Sequence, residues 1–241
     1  MSTTQPFGFR TGEYEQFPPV VQVALVSGIC PSNCSYCPVG LGTVTMVPSY
    51  FDTGLWQRIA EEVAVYPWSM LRIHARGEPM SHPEYIPMIG AAKRAGVGIV
   101  TSFTNGIYLH QHVEELLDSG IDMLEVSADA ADPDRYQAWR RNRFFHKVVD
   151  GVRRLHAARE RRPGCRTRIV VSAVDHPDFR RHRQDFERFW SPYCDRIQLR
   201  PFHTYGGLIR DPFQRVKTPD EYIPCVQLWE RFSINTEGRV N

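Results

Sequence analysis

Three thiols within eight residues are the first feature of this 241-residue sequence that could do chemistry. Cys30, Cys34 and Cys37 stand as C-x-x-x-C-x-x-C, inside Cys30-Pro31-Ser32-Asn33-Cys34-Ser35-Tyr36-Cys37-Pro38. Thiolate sulfur is a soft donor, and such a set points to an iron–sulfur cluster or to zinc. A four-iron cluster wants a ligand on every iron, and this loop offers three, with no fourth cysteine close by in the sequence. One iron is then open. Structural zinc sites pair two C-x-x-C hooks or add histidines at set spacing, and neither arrangement flanks the loop. The loop reads as the cradle of a [4Fe-4S] cluster with a free coordination position, the alternatives being a zinc knuckle or three unconnected core cysteines.

Such a loop needs a rigid element on either side. Strand-like apolar runs recur at Val20–Val26, Met70–His74, Gly98–Phe103, Met123–Ser127, Thr167–Val174 and Arg196–Arg200. Runs rich in Val, Ile and Leu are what buried parallel strands look like. Helical faces fall between them: Leu55, Ile59 and Val63 after an N-cap at Asp52, a helix opened near Pro83 and ended by Gly96, Val113 to Leu117 closed by Gly120, Val148 to Leu155 stopped before Pro163-Gly164, and Phe179 to Trp190. Strand and helix alternating six times predict an α/β fold, either a partial barrel or an open doubly wound sheet. Residues 1–19 read as an irregular lead-in with no room for a separate recognition domain, 20–215 as the α/β unit, and 216–241 as a change of texture ending in a strand and hairpin turn.

The cysteine loop, with aromatic Tyr36 before its last cysteine, resembles the signature of the radical S-adenosylmethionine (radical SAM) enzymes. That resemblance spans Val20 to about Arg200 and implies a partial (β/α)6 TIM-like barrel. It also implies that S-adenosylmethionine chelates the open iron through its amino and carboxylate groups and is cleaved reductively to a 5'-deoxyadenosyl radical. Arg76-Gly77-Glu78-Pro79 is similar to the family's G-G-E-P motif with arginine in place of the first glycine, and implies that Gly77, Glu78 and Pro79 bind the cofactor's amino group. Thr104-Asn105-Gly106 is similar to its T-N-G turn, which puts Asn105 on the cofactor side. Ser127-Ala128-Asp129-Ala130-Ala131-Asp132-Pro133 looks like the S-x-D-A-x-x-P segment of one branch. There the serine and a downstream arginine hold the carboxylate; Arg140 matches by spacing, with Arg141 and Arg143 nearby. Asp129 suits a sugar hydroxyl or a structural cap. The stretch from Pro224-Cys225 to Asn241 is similar to the opening of a SPASM or twitch extension, in which Cys225 would ligate an auxiliary iron–sulfur cluster; the expected further cysteines would follow Asn241.

Sites in parallel barrels gather where the strands deliver their C-terminal ends. By that rule His74, Asp175, His176, Arg200, His203 and Tyr205 are expected near the substrate. A net charge of +2 does not call for nucleic acid, although Arg135 to Arg168 is basic. No apolar stretch is long enough to span a bilayer, and no secretory signal is evident. Six cysteines, three of them clustered as ligands, suit a reducing cytoplasm. The expectation is hydrogen-atom abstraction from a small-molecule or carbohydrate-like substrate, with a flavodoxin or ferredoxin as electron donor. A peptide- or protein-modifying maturase is one alternative, and a non-catalytic iron–sulfur or zinc protein, nucleic-acid associated through its arginines, is the other.

Overall fold

The computed structural model describes residues 9, 11–213, 225 and 227–240. Within the expected lead-in, a short helix α1 (Gly12–Gln16) precedes the first strand. The chain then runs β1 (Val20–Ser27), β2 (Ser49–Tyr50), α2 (Thr53–Ala64), β3 (Met70–Arg76), α3 (Tyr85–Ala95), β4 (Ile99–Thr104), α4 (Val113–Asp118) and β5 (Met123–Ser127). It continues through α5 (Pro133–Arg140), α6 (Phe145–Glu160), β6 (Arg168–Asp175), α7 (Pro177–Arg180), α8 (Arg183–Trp190), β7 (Arg196–Pro201), α9 (Gln227–Glu230) and β8 (Arg231–Ile234).

One sheet carries the fold, in the order β2-β1-β3-β4-β5-β6-β7, with β8 pairing β1. All its pairings are parallel except the two-residue contact of β2 with β1. The architecture is therefore the expected partial α/β barrel. The expected C-terminal extension contributes a strand to that same sheet, because β8 aligns Arg231 to Ile234 with Val20 to Val23. Of that extension, residues 216–224, 226 and 241 lie outside the described residues.

Side chains alternate across each strand, and the two phases differ in chemistry. Val21, Val23, Leu25, Leu71, Ile73, Val100, Leu124, Val126, Ile169 and Val171 face the helices and are fully buried or nearly so. Gln22, Arg72, Phe103, Glu125, Ser127 and Ser172, of the opposite phase, line an interior cavity of about 540 Å³. The sheet is thus apolar outward and largely polar inward. Asp52 caps α2 as expected, accepting the Leu55 N–H at 2.7 Å, a bond worth about 1 kcal/mol. Gly96 ends α3 at φ +101, a left-handed conformation glycine adopts without strain. The helix expected over Phe179–Trp190 is split into α7 and α8. His176 caps the first piece through the Asp178 N–H, Pro177 sets its first turn, and His182 leaves helical geometry before the second begins.

Candidate functional site

The cysteine loop leaves β1 through Gly28, whose left-handed φ of +68 lets the chain turn while its N–H bonds Arg76 O at 3.0 Å. All three thiols are free; Cys30 is exposed, Cys34 buried and Cys37 half-buried. The loop is clamped from three sides. A Cβ on Gly40 would lie 2.6 Å from the Asn33 carbonyl carbon and 2.7 Å from Cys34 N, so Gly40 packs directly on the cysteine backbone. From the end of α5, Trp139 O accepts the Ser35 N–H at 2.8 Å, and just beyond it Asn142 Nδ2 donates to Ser32 Oγ at 2.9 Å. From the segment just after β3, Glu78 N donates to Ile29 O at 2.8 Å, and a Cβ on Gly77 would come 2.4 Å from that same oxygen.

Two donors are directed at the sulfurs: Asn105 Nδ2 lies 3.7 Å from Cys30 Sγ, and Arg140 Nη1 lies 3.6 Å from Cys34 Sγ. Burial pushes the Cys34 thiol up, and the Arg140 guanidinium pulls it back. Among the described residues no three His, Cys, Asp or Glu side chains converge as a set for a single metal ion. Three thiols on one loop, two of them met by N–H donors, fit the thiolate ligation of an iron–sulfur cluster.

Glu78 is buried, and its carboxylate accepts Thr104 Oγ1 at 2.6 Å, Met80 N at 3.1 Å and Asn105 N at 2.7 Å. It clamps the Gly-Glu-Pro and Thr-Asn-Gly segments together. The carboxylate expected on the cofactor's amino group is committed to these partners. Gly106 turns the chain at φ +77 with Val126 Cγ1 at 2.8 Å from a would-be Cβ, and Asn105 Oδ1 accepts the Ile107 N–H at 2.9 Å.

Asp129, at φ 59, is buried at the end of β5. Its Oδ1 accepts the Val174 N–H at 2.7 Å, while Oδ2 takes the Tyr36 hydroxyl and Arg140 Nη2, the latter at 2.5 Å. Asp129 holds the Arg140 guanidinium firmly charged, and burial keeps the Tyr36 phenol protonated. Of the three candidate arginines, Arg140 alone is buried; Arg141 and Arg143 are exposed. Its fork, expected to meet a carboxylate of the cofactor, is already shared between Asp129 and Cys34. Ser127 lines the cavity beside Ser172, 3.5 Å between hydroxyls.

His74, Arg200, His203 and Tyr205 all line the cavity. Asp175 and His176 do not. Asp175, the last residue of β6, pairs with Arg180 through two bonds of 2.7 and 2.6 Å, and His176, which follows it, caps α7 with its ring 4.3 Å from that of Trp139. Cys225 is exposed ahead of α9, and Cys165 and Cys194 are free. Reading the sequence passes over Trp139 and Asn142, which hold the loop, and Arg72, Glu125 and Arg231 inside the barrel. The polar residues interrupting alternate positions of apolar strands were the available signal for the second group.

A family model described as Radical SAM superfamily matches residues 25–185. The GTP 3',8-cyclase of Rhizobium leguminosarum bv. trifolii is 28% identical over 130 residues, which cover 53% of this chain and 37% of that protein. The GTP 3',8-cyclase of Vibrio vulnificus is 28% identical over 132 residues, covering 54% and 39%. The chain thus spans less than half the length of these curated relatives. Among solved structures, Streptococcus suis SuiB bound to precursor peptide SuiA superposes with a TM-score of 0.72 at 14% identity, over 93% of this chain and 59% of that one. BtrN in complex with AdoMet and 2-DOIA superposes at 0.53 with 15% identity, over 92% and 72%. Both likenesses are of fold.

Proposed function

Because the chain belongs to the radical SAM superfamily, we propose that it abstracts a hydrogen atom from a small-molecule or carbohydrate-like substrate, using a [4Fe-4S] cluster and S-adenosylmethionine. When bound, that pair supplies the 5'-deoxyadenosyl radical by reductive cleavage of a sulfonium C–S bond. Cys30, Cys34 and Cys37 hold the cluster, and Asn105 and Arg140 donate toward two of the sulfurs. Tyr36, Asp129 and Arg140 fix the loop against the end of β5. Backbone groups of Gly77 to Pro79, with Ser127, face the cofactor. His74, Arg200, His203 and Tyr205 orient the substrate in the barrel cavity. A ferredoxin or flavodoxin is the fitting electron donor.

The observation that carries this reading is the three-cysteine loop, clamped on three sides and met by donors at two sulfurs. The relatives' name, GTP 3',8-cyclase, favours a small polar substrate over a peptide. Cys225 is the candidate ligand of an auxiliary cluster of the SPASM or twitch type. No helix among the described residues is long and apolar enough to cross a membrane. Anaerobic reconstitution tests the reading. About four irons per chain on the first site and release of 5'-deoxyadenosine on reduction with S-adenosylmethionine are expected, both lost in Cys34→Ala. Release that persists in that variant would sink it.

A further inference from the structure

The cavity wall carries more positive charge than its carboxylates can offset. Four arginines line it, Arg72, Arg140, Arg200 and Arg231, against Glu125 and Asp129. Asp129 is taken by Arg140. Glu125, 2% exposed, is taken by Arg200, whose side chain reaches across β6 to place Nε 2.9 Å from Oε1 and Nη2 against Oε2. Arg72 and Arg231 are left without a carboxylate partner among the described residues. Their Nε atoms are buried donors with no acceptor there, and the described side-chain bond of Arg72 is a weak one, 3.7 Å to Met70 Sδ. Burial lowers the pKa of both; Arg231 and Arg200 lower that of Arg72 further against the pull of Glu125, and Arg200 lowers that of Arg231 against the pull of Cys225.

We propose that Arg72 and Arg231, with Arg200 beside them, form a seat for a phosphoryl group of the substrate, deep in the barrel. The proposal rests on the reading of this cavity as the substrate site and names the substrate class as phosphorylated. Two planar guanidiniums, neither of them ion-paired with a carboxylate among the described residues, repel each other in a confined space, and a dianion offsets both where a single carboxylate offsets one. Glu125 occupies Arg200 and repels a further anion at its own position, so the phosphoryl group lies on the side of Arg72 and Arg231. Phe103 stiffens the arrangement, its ring centroid 5.8 Å from the Arg72 guanidinium carbon and 5.5 Å from that of Arg200. Gln22, the register partner of Arg72 on β1, adds an amide to the same wall. Tyr36, Asp129 and Arg140 line the cavity as well. A substrate anchored by its phosphate has its remaining length directed toward the cysteine loop, which selects the carbon that reacts.

Isothermal titration calorimetry of the reconstituted protein with inorganic phosphate tests the seat, with acetate at matched ionic strength as the monoanion control. The expected result is saturable binding of phosphate, at least tenfold tighter than acetate, and weakened at least tenfold in Arg72→Gln and in Arg231→Gln. Ribose 5-phosphate and a nucleoside triphosphate form two further arms, and the one that binds tighter than phosphate identifies the source of the group. Absence of saturable phosphate binding to the unaltered protein, or unchanged affinity in folded variants, overturns the proposal. Release of 5'-deoxyadenosine by the unaltered protein reports separately on the parent reading. Release without phosphate binding sinks the seat alone, and phosphate binding without release sinks the radical chemistry and leaves the seat standing.

Discussion

Asp129 Oδ2 and Arg140 Nη2 meet at 2.5 Å with side chains 4% and 8% exposed, and the other arm of the same guanidinium reaches Cys34 Sγ. A carboxylate just past a strand end thereby sets the position of a cation next to the Cys34 thiol, a proposed cluster ligand. The pair joins β5, α5 and the cysteine loop in one buried network.

Asp129→Asn isolates the charge in that network, since asparagine keeps the side-chain shape and tolerates the left-handed backbone at φ 59. Removing one partner of a buried ion pair leaves the other uncompensated, at a cost of about 3 kcal/mol. Urea unfolding of the variant should show a loss of that size. A loss under about 0.5 kcal/mol, the range of a neutral surface substitution, would show that the pair contributes little.

Gly40→Ala places a methyl group against backbone, at 2.6 Å from the Asn33 carbonyl carbon, where no flexible side chain can yield. The cysteine loop must shift to accept it, with strain of about 1–3 kcal/mol. Iron content after anaerobic reconstitution should fall well below that of the unaltered protein while far-UV circular dichroism stays the same. Full iron loading would mean that the loop adapts freely.

His176 makes stability depend on pH. Its Nδ1 accepts the Asp178 N–H at 3.1 Å, which only the neutral ring can do, and burial lowers its pKa below the ordinary 6.5, against the pull of Asp178 and Asp175. The unfolded chain takes up the proton first, so this contribution is present above about pH 6.5 and is lost as pH falls through the folded-state value. His176→Asn keeps an acceptor at the cap and removes the titration. The thermal midpoint of the unaltered protein should drop between pH 7 and pH 5 more steeply than that of the variant, and equal slopes would remove His176 from the account.

Much of the barrel was legible because the strands obey simple rules. Val20–Ser27 and Met123–Ser127 announce themselves by β-branched and apolar residues, and Gly96 marks a helix end by the one conformation it takes without cost. Spacing matched Arg140 with Arg141 and Arg143 close by, and which of the three turns inward at the end of α5 is visible only in the fold. Glu78 was recognisable as a motif residue, but its partners, Thr104 and Asn105, lie a strand away. Asp175 and His176 fall outside the cavity lining because their side chains serve the start of α7, Asp175 by pairing with Arg180 and His176 as its cap, contacts that a strand-end rule does not contain.

The sequence by itself determined the cysteine set, the alternation of strand and helix, and the glycine turns at Gly96 and Gly106, all of which follow from local spacing and backbone preference. Only the tertiary structure decided which charges meet. Curving the sheet into a partial barrel brings Arg72 from β3, Glu125 from β5, Arg200 from β7 and Arg231 from β8 to one cavity, and electrostatic energy depends on separation in space, which residues this far apart along the chain acquire only when the fold forms.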